Sequence, residues 1–176
     1  MRDLSLFEDE TFDAVLYLGS PLSHLLTVEE RETAAKELVT IAKRNAPLFV
    51  SVMGRLGLLR TILLEFREEM RYCRHHLEVG DHVPSVTGRG FTAAHWFLRE
   101  ELQKLSENRN VETLNLAGLE GLSSHLEEAT KELYKDKEKL KMWMEIVIKT
   151  CNHPSVVGTA EHVLYVGRSQ TRFLKI

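Results

Sequence analysis

An excess of basic charge, paired cysteines and long apolar runs are all missing from this 176-residue chain, and each absence excludes a class of protein. Lys and Arg number 23 against 26 Asp and Glu, which gives a formal net charge of −3. Because a nucleic-acid-binding face needs a concentrated basic patch, no nucleic-acid partner is expected. The two cysteines, Cys73 and Cys151, lie far apart and form no paired metal motif, so free thiols in a reducing compartment are predicted.

Membrane and secretion signals are missing as well. No apolar run reaches the roughly 20 residues that a membrane-spanning helix needs, and the first residues are acidic rather than basic and then apolar. We therefore expect a cytoplasmic protein with no membrane partner. The sequence also lacks a P-loop and the Gly-x-Ser-x-Gly elbow of α/β-hydrolases.

Strand and helix patterns alternate in the first third of the chain. The run Asp13–Gly19 is continuously apolar, as in a strand that is covered on both faces. A capping box at Thr27 and Glu30 begins a helix that is predicted to continue to about Asn45. A second buried strand follows at Leu48–Met53. These three elements form one βαβ unit with a right-handed crossover.

The remainder continues the α/β pattern over a single predicted domain, residues 1–176, with two inserted segments at 55–97 and 120–139. Helices are predicted at Leu56 to about His76 and at Leu98–Asn108, and strands at Val111–Leu119 and His162–Gly167. A helical stripe with spacing i, i+3, i+4, i+7, i+8 and i+11 predicts one more helix whose apolar face lies in the core. Its members are Leu140, Trp143, Met144, Val147, Ile148 and Cys151.

The segment before the first strand carries a family resemblance. Residues 2–15 read Arg-Asp-Leu-Ser-Leu-Phe-Glu-Asp-Glu-Thr-Phe-Asp-Ala-Val. This resembles, with one extra residue, the Asp-Ala-x-x-Leu-Pro-Phe-x-Asp-x-Ser-Phe-Asp-x-Val pattern before the fourth strand of class I S-adenosylmethionine-dependent methyltransferases. The resemblance implies a truncated Rossmann-like methyltransferase fold of about four strands. Most of them would be parallel, and the last would run antiparallel between the family's fifth and sixth strands.

The same resemblance implies that part of the cofactor site is absent from this chain. The family binds S-adenosylmethionine on a glycine-rich loop after its first strand and with an acidic residue after its second strand. Only twelve residues precede Asp13, and they contain no such loop. Our hypothesis is that Met1 is an internal methionine of a longer gene product, which the upstream reading frame would test.

The resemblance also implies roles for individual residues. Leu18, Gly19 and Ser20 would lie beside the methionine part of S-adenosylmethionine, and Met1 and Arg2 near its adenine. A small-molecule substrate would be held by five residues, and one of two histidines would act as the base. The proposed substrate-binding residues are Leu22, Arg55, His76, Phe91 and Trp96, and the candidate catalytic residues are His24 and His95.

Several of these residues also have a plainer interpretation. Gly19 and Ser20 can simply end a strand in a turn, and His24 can be a surface residue at a helix entry. The His95–Phe97 run can be a packing cluster. The group Cys73, His75, His76, Asp81 and His82 suggests zinc, but adjacent helical residues point apart and no second ligand pair is present, so no metal is predicted.

Two functional hypotheses remain open. The first is a partial catalytic domain of a methyltransferase that acts on a small molecule. The second is a non-catalytic, methyltransferase-like module for dimerisation or regulation. In both, Ala14–Leu18 would be an edge strand with apolar side chains and unpaired backbone groups, which predicts a homodimer through that edge.

Overall fold

The computed structural model describes residues 3–90, 92–107 and 109–170, without the side chain of residue 107. Strands and helices alternate through these residues. The strands are β1 (Val15–Tyr17), β2 (Pro47–Met53), β3 (Asp81–His82), β4 (Ala94–His95), β5 (Val111–Gly118) and β6 (His162–Ser169). The helices are α1 (Val28–Ile41), α2 (Arg55–Glu65), α3 (Cys73–Glu78), α4 (Arg99–Glu107), α5 (Glu127–Glu132), α6 (Lys137–Thr150) and α7 (Pro154–Thr159).

Four of the strands form one mixed sheet in the order β1-β2-β6-β5. β1 and β2 pair in parallel, and β6 runs antiparallel to both of its neighbours. β1, β2 and β5 therefore point the same way, with the last strand inserted between β2 and β5. This confirms the predicted four-stranded, Rossmann-like α/β sheet. The short antiparallel pair β3 and β4 was not predicted.

One face of the sheet forms the core. Val15 and Tyr17 are buried and lie opposite Leu48 and Val50 of β2, and Val50 lies opposite Tyr165 of β6. The helices α1 and α4 cover this face, because side chains from both helices and from β2 line one small internal void. Each such fully buried side chain contributes about 1.5–3 kcal/mol.

The opposite face is less covered. Leu16 lies between Val15 and Tyr17 in β1, so its side chain points to the other side of the sheet. It is 64% exposed, and its register partner Phe49 is only partly buried. An apolar side chain on a sheet edge therefore faces solvent.

The first predicted helix is confirmed at its start and shortened at its end. The Thr27 hydroxyl accepts the Glu30 amide at 3.1 Å, and the Glu30 carboxylate accepts the Thr27 amide at 3.4 Å, which completes the capping box. The helix ends at Ile41 rather than near Asn45. Ala42 is already extended and forms a parallel bridge with Phe12.

The single helix predicted from Leu56 to about His76 is wrong. The segment forms α2, a 3-10 turn over Arg67–Tyr72, and α3. Phe66 separates the first two pieces with φ −132° and ψ 51°, outside the helical region. The break lets the segment fold back on itself and form a wall beside the sheet.

The predicted core stripe of the last long helix is also wrong. α6 occupies the expected place, but of its described residues only Val147 is buried, and Met144 and Ile148 are 42% and 66% exposed. Pro154 not only follows this helix but begins α7 as its first residue, a position where proline is favoured.

Within the described residues, no helix combines the length and apolarity needed to cross a bilayer.

Candidate active site

A cavity of about 460 Å³ opens at the edge where β1 and β2 end. Met53, at the end of β2, and His24, after β1, lie on the sheet side. Side chains from residues 58–96, most of the segment that the sequence predicts as an insertion, supply the opposite wall, and the start of β6 closes the site. The lining residues are His24, Met53, Leu58, Thr61, Ile62, Phe66, Glu69, His76, His82, Arg89, Gly90, Thr92, Ala94, Trp96, Glu161 and His162.

The loop after β1 is held by a single hydroxyl. Gly19 and Ser20 both adopt left-handed backbone conformations, with φ of 85° and 60°. Their amides donate to the Ser51 Oγ at 2.9 and 3.1 Å. Leu18 and Gly19 are exposed at the strand end, while Ser20 is buried. The three predicted cofactor residues therefore lie at the carboxyl end of β1, where ligands bind in open α/β sheets.

His24 lies on the rim of the cavity at the end of the 3-10 turn Pro21–His24. Its Nδ1 lies 3.2 Å from the Ala93 carbonyl oxygen. Because a carbonyl oxygen can only accept, Nδ1 is the donor in this bond, and in the tautomer that makes it Nε2 carries the lone pair. Leu22, in the same turn, does not reach the cavity, because it is buried in the core.

Aromatic and imidazole rings form one wall of the cavity. The ring centroid of Trp96 lies 5.5 Å from that of His82 and 6.2 Å from that of His76, both at steep angles. The Nε2 of buried His76 donates to the Thr87 carbonyl at 3.0 Å, and its Nδ1 has no hydrogen-bond partner in the described part of the chain. Burial lowers the pKa of His76, so this ring is neutral near pH 7.

Two carboxylates line the same cavity, and sequence reasoning missed both. Glu69 is buried and accepts the backbone amide of Arg89 at 2.6 Å. Glu161 accepts the Thr61 hydroxyl at 2.7 Å and lies 3.2 Å from the Nε2 of His125. One signal for Glu161 was available: a residue just before an antiparallel strand lies at the edge where the parallel strands end. No comparable signal marks Glu69.

Arg55 and His95, two further predicted site residues, lie behind the cavity wall. Arg55 is 2% exposed and donates to both Glu101 oxygens. The Nδ1 of His95 lies 2.5 Å from Asp81, and its Nε2 lies 3.5 Å from Glu101. Burial raises the pKa of Glu101, but hydrogen bonds from His95 and Leu98 and the Arg55 charge outweigh it and leave the pKa lowered.

The structure gives positions for only some of the remaining predicted site residues. Met1, Arg2 and Phe91 lie outside the described residues. His76 and Trp96 line the cavity, as the substrate prediction requires.

The group considered for zinc shows an ordinary hydrogen bond: the His75 Nε2 lies 3.1 Å from the Asp81 carbonyl oxygen. No cluster of His, Cys, Asp and Glu with metal-binding geometry occurs within residues 3–90, 92–107 and 109–170.

Comparison with known proteins gives the fold. No protein-family model and no curated protein matches the sequence. A solved S-adenosylmethionine-dependent methyltransferase from Methanosarcina mazei is similar over 97% of this chain, with 16% identity and a TM-score of 0.57. The chain has the methyltransferase fold. It spans 65% of the length of that relative.

Other solved structures with the methyltransferase fold align less closely. An S-adenosylmethionine-dependent methyltransferase from Thermotoga maritima aligns over 93% of this chain and over 59% of its own length, with 18% identity and a TM-score of 0.43. The 1,6-didemethyltoxoflavin-N1-methyltransferase from Burkholderia thailandensis, crystallised with S-adenosylhomocysteine, aligns over 93% and 46%, with 9% identity and a TM-score of 0.44.

Proposed function

We propose that this chain carries the substrate-binding portion of an S-adenosylmethionine-dependent methyltransferase. One observation carries the proposal: a cavity of about 460 Å³ opens where β2 ends at Met53, and His24, in the turn that follows the Leu18–Ser20 loop, lies on its rim. In open α/β sheets, ligands bind outside the carboxyl ends of the strands. The fold shared with the Methanosarcina mazei methyltransferase supports the same assignment, although a fold alone does not fix a reaction.

The acceptor is a small molecule. The cavity volume lies within the range of about 300–1,000 Å³ that is typical of small-molecule sites. Leu58, Ile62, Phe66 and Trp96 make most of its wall apolar. The net charge of −3 gives no attraction to a nucleic acid.

The residues of this chain fit S-adenosylmethionine only in part. Leu18 and Gly19 are open to a ligand, but the amides of Gly19 and Ser20 already donate to Ser51. These groups would touch one side of the cofactor, and among the described residues of this loop the amides of Gly19 and Ser20 are not free to bind its carboxylate. We therefore expect tight cofactor binding only when the glycine-rich half of the fold accompanies this chain, either in a longer gene product or as a partner.

The chain's own contribution to the reaction is positioning and proton removal. Walls of apolar and ring side chains would fix the acceptor and exclude water, which aligns its nucleophile. His24 is the better of the two candidate bases, because it lines the cavity and keeps a free lone pair on Nε2. His95 lies among carboxylates and does not line the cavity.

Calorimetric titration with S-adenosylhomocysteine tests this proposal. The product of the longest reading frame that contains this sequence is expected to bind it, and the 176-residue chain alone only weakly. Leu18→Glu should weaken binding by the longer product. Leu126→Glu is the matched control, because Leu126 is similarly exposed, at 48% against 51%, and lies on another part of the surface. Tight binding by the chain alone would contradict the partial fit.

A second candidate function is a non-catalytic module for dimerisation or regulation. The exposed Leu16 on the β1 edge favours it, because an apolar, unpaired strand edge is a template for association. Both functions allow a dimer through this edge, and they differ in cofactor binding. A regulatory module would bind no S-adenosylhomocysteine in any longer form.

A further inference from the structure

We propose that this cavity selects an acceptor that carries a protonated amine next to an aromatic or apolar body, with Glu69 as the counter-charge. The inference rests on the proposed function in one respect only, namely that the cavity is the acceptor site. It assigns the chemical class of the acceptor, which the fold leaves open.

Glu69 is a buried carboxylate that lacks a cation. Its side chain is 8% exposed, and one oxygen accepts the backbone amide of Arg89 at 2.6 Å. Within the described residues, no Lys, Arg or His side chain forms an ion pair with it. Removing a carboxylate from water is costly unless a charge or several hydrogen bonds compensate. An ammonium group in the cavity would supply that compensation.

The neighbouring Glu68 shows the contrast. It is half exposed and pairs with the Arg89 guanidinium at 3.3 Å on the outer surface. Among the described residues, Arg89 is the arginine that lines the cavity, and its guanidinium pairs with Glu68 outside while its backbone amide binds Glu69. Glycine at position 88 permits this close packing, since a Cβ there would lie 2.5 Å from the Glu69 Oε2.

The rest of the wall suits a cation in the same place. A Cβ on Gly88 would also lie 3.2 Å from the His82 ring, so the Glu69 carboxylate lies near this ring, whose centroid is 5.5 Å from that of Trp96. The faces of aromatic rings attract ammonium groups by about 0.5–2 kcal/mol. His76, the third ring of the wall, is buried and neutral near pH 7 and does not compete as a cation.

The other charged groups on the cavity have side-chain partners. The Nδ1 of His162 lies 2.6 Å from Glu120, and Glu161 accepts the Thr61 hydroxyl at 2.7 Å and lies 3.2 Å from the His125 Nε2. Glu69 differs, because its carboxylate has only a backbone amide and no side-chain partner among the described residues. A carboxylate or phosphate acceptor would meet repulsion there, whereas an amine would meet a counter-charge.

A pair of probes that differ only in charge tests the proposal. The 176-residue chain would be titrated with 2-phenylethylamine and with the neutral 2-phenylethanol, following the indole signals of its two tryptophans by nitrogen-15 NMR. The amine is expected to shift the Trp96 signal, leave Trp143 unchanged, and bind at least about tenfold more tightly than the alcohol. Equal binding of the two probes, or no binding of either, would overturn the proposal without any variant.

Two variants locate the effect. Glu69→Gln should abolish the preference for the amine by weakening amine binding at least about tenfold. Glu68→Gln, which removes the exposed neighbouring carboxylate, should preserve the preference. A preference that survives Glu69→Gln contradicts the assignment. Because no cofactor is present in these titrations, their outcome is independent of whether the longer product binds S-adenosylhomocysteine.

Discussion

The Arg55 guanidinium donates to both carboxylate oxygens of Glu101 at 2.8 Å and joins the start of α2 to α4. The same guanidinium also donates to the carbonyls of Trp96, Leu77 and Val79. These hydrogen bonds therefore hold the part of the cavity wall formed by residues 77–96 against the start of α2 and against α4. Arg55 acts on the candidate site through this framework rather than by contact with a ligand.

Replacing Arg55 with Met should destabilise the protein strongly. The change leaves Glu101 without its buried cation and several carbonyls without donors, and it should lower the free energy of unfolding by about 3–5 kcal/mol. Arg55→Lys should recover only part of the loss, because an ammonium cannot reproduce the planar set of donors. Urea unfolding of both variants measures the effect. A loss of under about 1 kcal/mol in Arg55→Met would show that the network is not buried as described.

Gly57 should tolerate no side chain. A Cβ at this position in α2 would lie 2.6 Å from the Ala160 carbonyl oxygen and 2.6 Å from the Glu161 Cα, both backbone atoms. Gly57→Ala should therefore cost about 1–3 kcal/mol of unfolding free energy by overpacking, despite the better helix propensity of alanine. The matched control is Gly158→Ala in α7, where nothing lies within 4 Å, and which should be neutral or slightly stabilising. Equal effects of the two changes would contradict this packing.

The ion pair of His162 and Glu120 should make stability depend on pH. The hydrogen bond from Glu120 outweighs burial and raises the pKa of His162 above its usual 6.5. Its stabilisation is therefore complete below about 6.5 and is lost as the pH rises through the raised value. Burial raises the pKa of Glu120, but His162 more than offsets this, so its pKa lies below the usual 4.5 and its contribution is lost only in acid.

His162→Gln should accordingly destabilise the protein most between about pH 4.5 and 6.5. The expected loss is about 0.5–1 kcal/mol, because both side chains are partly exposed. Thermal unfolding of the variant and the wild type across pH 5–9 provides its own control, since the difference should shrink toward high pH. A difference that is constant or grows with pH would exclude the ion pair as its source.

Leu16→Lys should reduce self-association. The wild-type chain is expected to form dimers or larger species through the β1 edge, and a lysine there opposes edge-to-edge pairing. Met142→Lys is the control, because Met142 is equally exposed, at 63% against 64%, and lies on α6 away from the edge. Sedimentation velocity at several concentrations measures both. A wild-type chain that remains monomeric throughout would refute the predicted homodimer.

The sheet could be predicted because its signals are local. The capping box at Thr27 and the apolar runs before Gly19 and Gly54 need no knowledge of distant residues. The place of β6 between β2 and β5 followed from the family resemblance, not from the strand's own pattern. α6 shows the limit of periodicity: an apolar stripe indicates a buried face only if a partner surface meets it, and Ile148 has none among the described residues.

The candidate site was less predictable. His24 and Trp96 were found because they follow strand ends or cluster with aromatic residues. Glu69 was missed because its burial depends on the break at Phe66 and on the return of Arg89, which are tertiary events. His95 is one of the two candidate bases that the sequence suggests, but carboxylates distant in sequence, Asp81 and Glu101, hold it behind the cavity.

A crystal structure of the longest gene product that contains this sequence, grown with S-adenosylhomocysteine, tests most directly whether the end of β1 is part of a cofactor site. We expect the ligand to lie against Leu18 and Gly19, with its sulfur directed toward the cavity that His24 and Trp96 line. A ligand bound at another part of the sheet, or a product that binds no S-adenosylhomocysteine at all, would contradict it.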